Sequence, residues 1–127
     1  MKVDIKGFAG KVKPIRENET YSVHDLEYLK NLSVSMTILH PGKATSGHEH
    51  ENADEVYIVV DGRGELDLDG NRMDIETGDI VLIKQGQFHR TFNNEKEDLV
   101  FLTVFEKYEG RGGTSPVSYS KENKPSS

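Results

Sequence analysis

Short apolar segments separated by turn residues run through the middle of the chain, from about residue 33 to residue 105. Three of them are apolar on both faces of a strand: Val56–Val60, Ile80–Ile83 and Leu99–Phe105. A fourth segment, residues 33–38, alternates strictly, so that Val34, Met36 and Ile38 share one face. Segments this short, repeated at this spacing, are typical of β-sandwiches and barrels. We therefore expect an all-β fold.

Turn residues give this fold a first outline. Glu65–Leu68 and Met73–Ile75 flank Asp69-Gly70-Asn71, which predicts a hairpin with a positive φ at Gly70. Asn93–Lys96 predicts a second turn. One helical turn is expected at Val23–Lys30, because Ser22 and Asp25 fit a capping box.

The chain divides into three parts by composition. Residues 33–108 are expected to form the barrel, and residues 1–32 an N-terminal arm that packs on it. Residues 109–127 are rich in Gly, Pro and Ser, which predicts a mobile tail. The apolar strands need cover on both faces, so a second copy of the chain is the expected cover for the outer one, and we predict a homodimer.

Charge and composition exclude several classes of function. The 127 residues include no cysteine, which excludes disulfide scaffolds, iron–sulfur sites and thiol catalysis. Residues 33–105 contain 6 basic and 14 acidic residues, and an acidic centre of this kind repels nucleic acid. The sequence shows neither a membrane-spanning segment nor a secretion signal, so a cytoplasmic protein without membrane partners is expected.

Three histidines and one glutamate stand where metal ligands could meet. His48 and His50 are two residues apart, so on a strand their side chains lie on one face. Glu55 joins them only if a turn at residues 51–54 resets the alternation, and His89 lies on a later alternating segment. Such a ligand set suits one divalent transition metal: Mn, Fe, Zn, Ni or Co. From the residues alone, ordinary surface or packing histidines explain the pattern about equally well. His24 and His40 lack the pattern.

The glycines around these residues form, together with them, a motif in two halves with defined spacing. Its first half runs from Gly42 to Gly62 and contains His48, His50 and Glu55, and its second half runs from Gly78 to Asn93 and contains Gly86 and His89. Both halves resemble the two motifs of the cupin superfamily, and nine of the ten fixed positions agree. The departure is Lys84, where proline is usual. Gly62, Gly78 and Gly86 are expected at turns with positive φ, and Asn93 is expected to close a turn through backbone hydrogen bonds.

The resemblance implies a small single-domain cupin, a double-stranded β-barrel of the jelly-roll type. It implies that His48, His50, Glu55 and His89 hold the metal inside the barrel. Alternation along the strands then predicts further site residues. Tyr57 is expected beside the metal as a catalytic residue, or else as packing with a bonded hydroxyl. Four more are candidates for binding substrate: Gln87, Thr91, Met36 and Phe101.

Three functions fit this site. The first, favoured by analogy to other cupins, is a metal-dependent isomerase acting on a small oxygenated metabolite such as a sugar or sugar phosphate. The second is a non-haem dioxygenase, and the third is a cupin that binds a metal or small molecule without turnover. Lys43 and Lys84 are isolated, so the sequence shows no phosphate clamp.

Overall fold

The computed structural model describes residues 1–47 and 53–107, so His48, His50 and the predicted tail 109–127 lie outside the described residues. Within these ranges a four-residue helix, α1 (Phe8–Lys11), is followed by nine strands. The strands are β1 (Arg16–Glu17), β2 (Tyr21–Leu26), β3 (Leu32–Leu39), β4 (Glu55–Asp61), β5 (Arg63–Leu68), β6 (Asn71–Glu76), β7 (Ile80–Ile83), β8 (His89–Phe92) and β9 (Leu99–Glu106). None of the helices in the described ranges is long and apolar enough to cross a lipid bilayer.

The strands form two antiparallel sheets. The larger has the order β1-β2-β3-β9-β4-β7, and the smaller has the order β6-β5-β8. Both sheets contribute side chains to one apolar core, which confirms the predicted all-β fold. Its buried members are Tyr21, Val23, Leu39, Tyr57, Val59, Leu66, Ile75, Ile83, Leu99 and Phe101.

The predicted turns are confirmed. Asp69 and Gly70 form the two-residue turn between β5 and β6 with φ values of 52° and 87°, the left-handed pair that hairpins favour. Asn93 closes the turn before β9, since its side-chain amide donates to the carbonyl oxygens of Leu39 and Glu97 at 2.9 and 2.8 Å. Gly62 has a φ of 95°, and a Cβ there would lie 2.6 Å from the carbonyl oxygen of Asp98. No residue except glycine fits that position without distortion.

The helical turn expected at Val23–Lys30 is wrong. This part of the chain contains β2, which pairs with β3 from Tyr21 opposite Leu39 to Leu26 opposite Val34. A capping box is a local signal, and it is outweighed here by the hydrogen bonds and core contacts that a sixth sheet strand gains. The sheet therefore extends into the segment for which the sequence predicts only an arm.

The start of the chain packs on the outer face of the larger sheet. Phe8 of α1 is buried, and the carbonyl oxygen of Val12 accepts a hydrogen bond from His24 Nδ1 at 2.7 Å. His24 Nε2 lies 3.1 Å from the Ser22 hydroxyl oxygen, so both ring nitrogens have partners. His24 is therefore a structural histidine that joins the N-terminal segment to β2.

Candidate metal centre

Glu55 and His89 meet inside the molecule although 34 positions separate them. Glu55 begins β4 of the larger sheet, and His89 begins β8 of the smaller one. Glu55 Oε1 lies 3.5 Å from His89 Nε2, and the side chains are 5% and 1% exposed. A buried carboxylate is costly unless a positive charge or hydrogen bonds compensate it, so this contact is a strong constraint on the chemistry of the interior.

A backbone contact sets which nitrogen of His89 faces Glu55. His89 Nδ1 lies 3.1 Å from the carbonyl oxygen of Gln87, and since a carbonyl oxygen only accepts, Nδ1 carries the proton. In the neutral ring, Nε2 then presents a lone pair towards the carboxylate. Two electron-pair donors facing each other at this distance suit a shared cation, because ligands about 2.1 Å from one metal stand roughly 3 Å apart. The pair therefore fits a divalent transition metal.

The described residues contain two of the four implied ligands. Across residues 1–47 and 53–107, no third His, Cys, Asp or Glu joins Glu55 and His89 in a group that could hold a metal ion. His48 and His50 lie between these two ranges. The segment that precedes His48, residues 43–47, runs beside β8. The backbone N–H of Thr45 donates there to the carbonyl oxygen of Thr91 at 2.9 Å. The described chain thus reaches the residue before His48 alongside the strand that carries His89.

Tyr57 lies on the same face of β4 as Glu55. Its ring stacks on Phe101 with centroids 4.8 Å apart, and it meets the ring of His89 edge-on at 5.7 Å. Both aromatic residues are almost fully buried. These contacts give Tyr57 one fixed ring orientation beside the Glu55–His89 pair.

Met36 does not lie on the side of the larger sheet that carries Glu55 and Tyr57. In the β3–β9 register Met36 lies opposite Leu102, whereas Phe101 lies opposite Thr37. Directly paired residues in an antiparallel sheet share a face, so Met36 and Phe101 point to opposite sides. The expectation that both line one pocket is wrong, because the apolar face of β3 is the outer one.

The inward face of β3 ends in the core residue Leu39 and is otherwise polar. It presents three buried side chains, Ser33, Ser35 and Thr37, and Thr103 of β9 lies opposite Ser35. The Ser35 hydroxyl has no hydrogen-bond partner among the described residues. The sequence shows this alternation, but serine and threonine facing the inside run against the usual rule that the apolar face is buried.

Thr91 and Gln87 differ in what their side chains do. Thr91 is fully buried on the His89 face of β8, and its hydroxyl has no hydrogen-bond partner within the described ranges. The Gln87 amide is occupied in a turn: its Oε1 accepts from the backbone N–H of Lys84 at 2.8 Å, and its Nε2 donates to Asp69 Oδ2 at 3.2 Å. Thr91 therefore remains a candidate for contact with a ligand, while Gln87 supports the loop before His89.

Two surface clefts of about 380 and 520 Å³ lie elsewhere. Arg63, Glu76, Asn94 and Glu95 line both of them. Neither cleft is lined by Glu55, Tyr57 or His89, and both are rich in exposed acidic residues. The buried polar interior has the more specific chemistry, so we place the candidate site there.

Curated proteins match part of the chain in sequence. Glucose-6-phosphate isomerases from Thermococcus onnurineus and Pyrococcus furiosus are each 32% identical to it over 100 residues, covering 68% of this chain and 53% of theirs. The chain thus spans about half the length of the curated relatives it matches.

Solved structures match the fold at lower identity. A predicted oxalate decarboxylase from Thermotoga maritima superposes with a TM-score of 0.72 at 24% identity, covering 85% of this chain and all of that one. A sugar phosphate isomerase of the cupin superfamily from Silicibacter pomeroyi gives a TM-score of 0.64 at 23% identity, covering 71% of this chain and 61% of that one. At such identities the likeness shows the fold alone, the double-stranded β-barrel. The family model described as "Cupin domain" matches residues 35–105, more than half of the chain, and the protein belongs to the cupin family.

Proposed function

We propose that this cupin is a metal-dependent isomerase of a small hydroxy-carbonyl metabolite, of the sugar or sugar-phosphate type. The observation that carries the proposal is the buried contact between Glu55 Oε1 and His89 Nε2, with His89 Nδ1 held by a backbone carbonyl. His48, His50, Glu55 and His89 would hold the metal. When bound, a divalent metal supplies a Lewis acid for a carbonyl oxygen and stabilises the negative charge that develops when a neighbouring carbon loses its proton.

The residues of this chain would bind the substrate and move the proton. Tyr57, fixed by Phe101 and His89, is our candidate for the side chain that orients the substrate or relays the proton. The hydroxyl of Thr91 would bond a substrate oxygen, with Ser35 across the interior as a further candidate. A polar interior lined by hydroxyl groups suits a substrate that carries several hydroxyl groups, because each one can satisfy a buried partner. The glucose-6-phosphate isomerases among the relatives support this choice of substrate class.

Anaerobic turnover tests the proposal. The untagged protein would be loaded separately with Mn, Fe, Zn, Ni or Co and incubated with aldoses, ketoses and their phosphates, and products would be followed by NMR. We expect interconversion of an aldose and a ketose without oxygen, in at least one metal form. Oxygen consumption confined to the Fe(II) form would contradict the isomerase and favour a dioxygenase. Protein that is inert in every metal form would favour a binding module without turnover.

A further inference from the structure

The loop between β7 and β8, residues 84–88, is held by an aspartate from a distant hairpin. Asp69 lies in the β5–β6 turn, and its backbone N–H donates to the carbonyl oxygen of Phe88 at 2.8 Å. Its Oδ1 accepts from the backbone N–H of Phe88 at 2.9 Å, and its Oδ2 accepts from Gln87 Nε2 at 3.2 Å. Three hydrogen bonds therefore join one turn residue to the two residues that precede His89.

The Gln87 side chain extends this connection within the loop. Its Oε1 accepts from the backbone N–H of Lys84 at 2.8 Å, which orients the amide so that Nε2 faces Asp69. Lys84 is the position where the cupin motif usually has proline, and a proline has no N–H to donate. The departure from the motif thus supplies one of the hydrogen bonds that hold the loop.

The same loop leads directly to the candidate metal centre. The carbonyl oxygen of Gln87 accepts from His89 Nδ1 and so sets the proton position of that ring. The backbone N–H of Gln85 donates to Asp54 Oδ1 at 2.9 Å, next to Glu55. The ring of Phe88 covers Gly47, where a Cβ would lie only 1.8 Å from it. The loop therefore contacts residues beside three of the four implied ligands.

The β5–β6 turn alone does not require an aspartate at position 69. Asp69 has a φ of 52°, a conformation that glycine and asparagine adopt at least as readily as aspartate. Either residue would serve the turn. What the carboxylate adds is a pair of acceptors for the Phe88 N–H and the Gln87 amide.

We propose that Asp69 is a positioning residue for the metal centre: through Gln87 and Phe88 it holds the carbonyl that orients the imidazole of His89. This inference rests on the proposed metal site. Groups that bond a metal-binding histidine directly typically change metal affinity by about 10- to 100-fold when they are lost, and Asp69 holds the loop that carries such a group, the Gln87 carbonyl. Asp69 acts through its hydrogen bonds to Gln87 and Phe88, so its effect is expected on affinity for the metal and on the His89 ring.

The test compares Asp69→Asn and Asp69→Gly with the wild type. Both substitutions suit the positive φ, so the hairpin should fold. Asn keeps one acceptor but turns an NH₂ group towards Gln87 Nε2, whereas Gly removes both acceptors. We expect the dissociation constant for Mn²⁺ or Zn²⁺ to rise by about 3-fold in Asp69→Asn and by about 10-fold, the lower end of the range for direct partners, in Asp69→Gly. Asp67→Asn is the matched control, because the Asp67 carboxylate bonds Gly70 within the same hairpin.

A second measurement separates this inference from the proposed function. In metal-free protein, ¹⁵N NMR of the histidine rings should show His89 protonated at Nδ1 in the wild type and a mixture of tautomers in Asp69→Gly. Gln87→Met keeps the side-chain volume and the backbone carbonyl but removes both hydrogen bonds of the side-chain amide. It should shift the tautomers in the same direction. Wild-type affinity and a wild-type His89 tautomer in both Asp69 variants would overturn the positioning role. A wild type that binds no metal would overturn the proposed function, while the tautomer measurement would still decide whether Asp69 orients His89.

Discussion

Buried hydroxyl groups distinguish the interior of this cupin from an ordinary apolar core. The Thr91 hydroxyl lies on the face of β8 that carries His89, and the structure gives it no partner among the described residues. A buried hydroxyl without a hydrogen bond costs about 1–3 kcal/mol. A substrate oxygen that bonds this hydroxyl would offset the cost, which makes Thr91 a test of the proposed function at the scale of one residue.

Thr91→Val should therefore separate stability from activity. The valine is nearly isosteric and removes the polar atom, so we expect the free energy of unfolding of the metal-free protein to rise by about 1 kcal/mol. On the substrate found by the turnover panel, kcat/KM should fall about 10-fold, which corresponds to the loss of one hydrogen bond in the transition state. Denaturant unfolding and steady-state kinetics measure the two effects. Thr77→Val, which removes an exposed hydroxyl that donates to Gly62, is the control and should leave kcat/KM unchanged. Unchanged kcat/KM in Thr91→Val would remove this residue from the site.

Individual strands and turns show which features of the fold can be predicted from sequence patterns. The hairpin around Gly70 and the turn at Asn93 follow from local residue chemistry and were predicted correctly. The predicted inward side of β3 is wrong because alternation gives two faces without saying which one points to the core, and here Ser35 and Thr37 point inward while Met36 is buried on the outer side. The capping signal at Ser22 and Asp25 predicts a helical turn in place of β2 because a local signal does not reveal a pairing partner in β3.

The candidate site was predictable to a similar extent. Glu55 and His89 could be identified because motif spacing marks residues that share a cavity, and the structure brings these two together at 3.5 Å. The support around them could not be identified. Asp69 reaches Gln87 and Phe88 across 18 and 19 positions, and no periodicity links a hairpin turn to a loop of another strand pair. Contacts of this kind become visible only when the sheets are assembled.

At the scale of the whole molecule, an apolar patch on the larger sheet is exposed among the described residues. Ile80 and Leu82 of β7, at the edge of the larger sheet, are 63% and 68% exposed. They pair with Ile58 and Val56 of β4, which places all four on the outer face, opposite Tyr57. Exposed apolar patches of this type mark association surfaces. At the other end of the same sheet face, Val12, which follows α1, bonds His24 of β2. We propose that a second copy of the chain covers this patch, in a homodimer with two-fold symmetry.

Leu82→Glu tests the dimer. A charge placed in an apolar interface is left without a partner, so the variant should elute as a monomer of 14.3 kDa while the wild type has twice that mass. Size-exclusion chromatography with light scattering measures both, and circular dichroism checks that the variant is folded. Tyr28→Glu is the matched control, since Tyr28 is also 68% exposed but lies between β2 and β3. A wild type that is monomeric at micromolar concentration, or a dimer that persists in Leu82→Glu, would contradict this interface.

The central claim is that His48, His50, Glu55 and His89 bind one divalent metal inside the barrel, and metal content tests it most directly. Untagged protein would be offered Mn, Fe, Co, Ni and Zn in turn, dialysed, and analysed by inductively coupled plasma mass spectrometry together with Glu55→Gln and His89→Gln. His40→Gln is the control, because His40 pairs with Asp98 at the surface. The account predicts one metal ion per chain in the wild type and in His40→Gln, and a loss of most of it in the other two variants. A wild type that retains none of these ions, or a Glu55→Gln variant that retains one per chain, would contradict it.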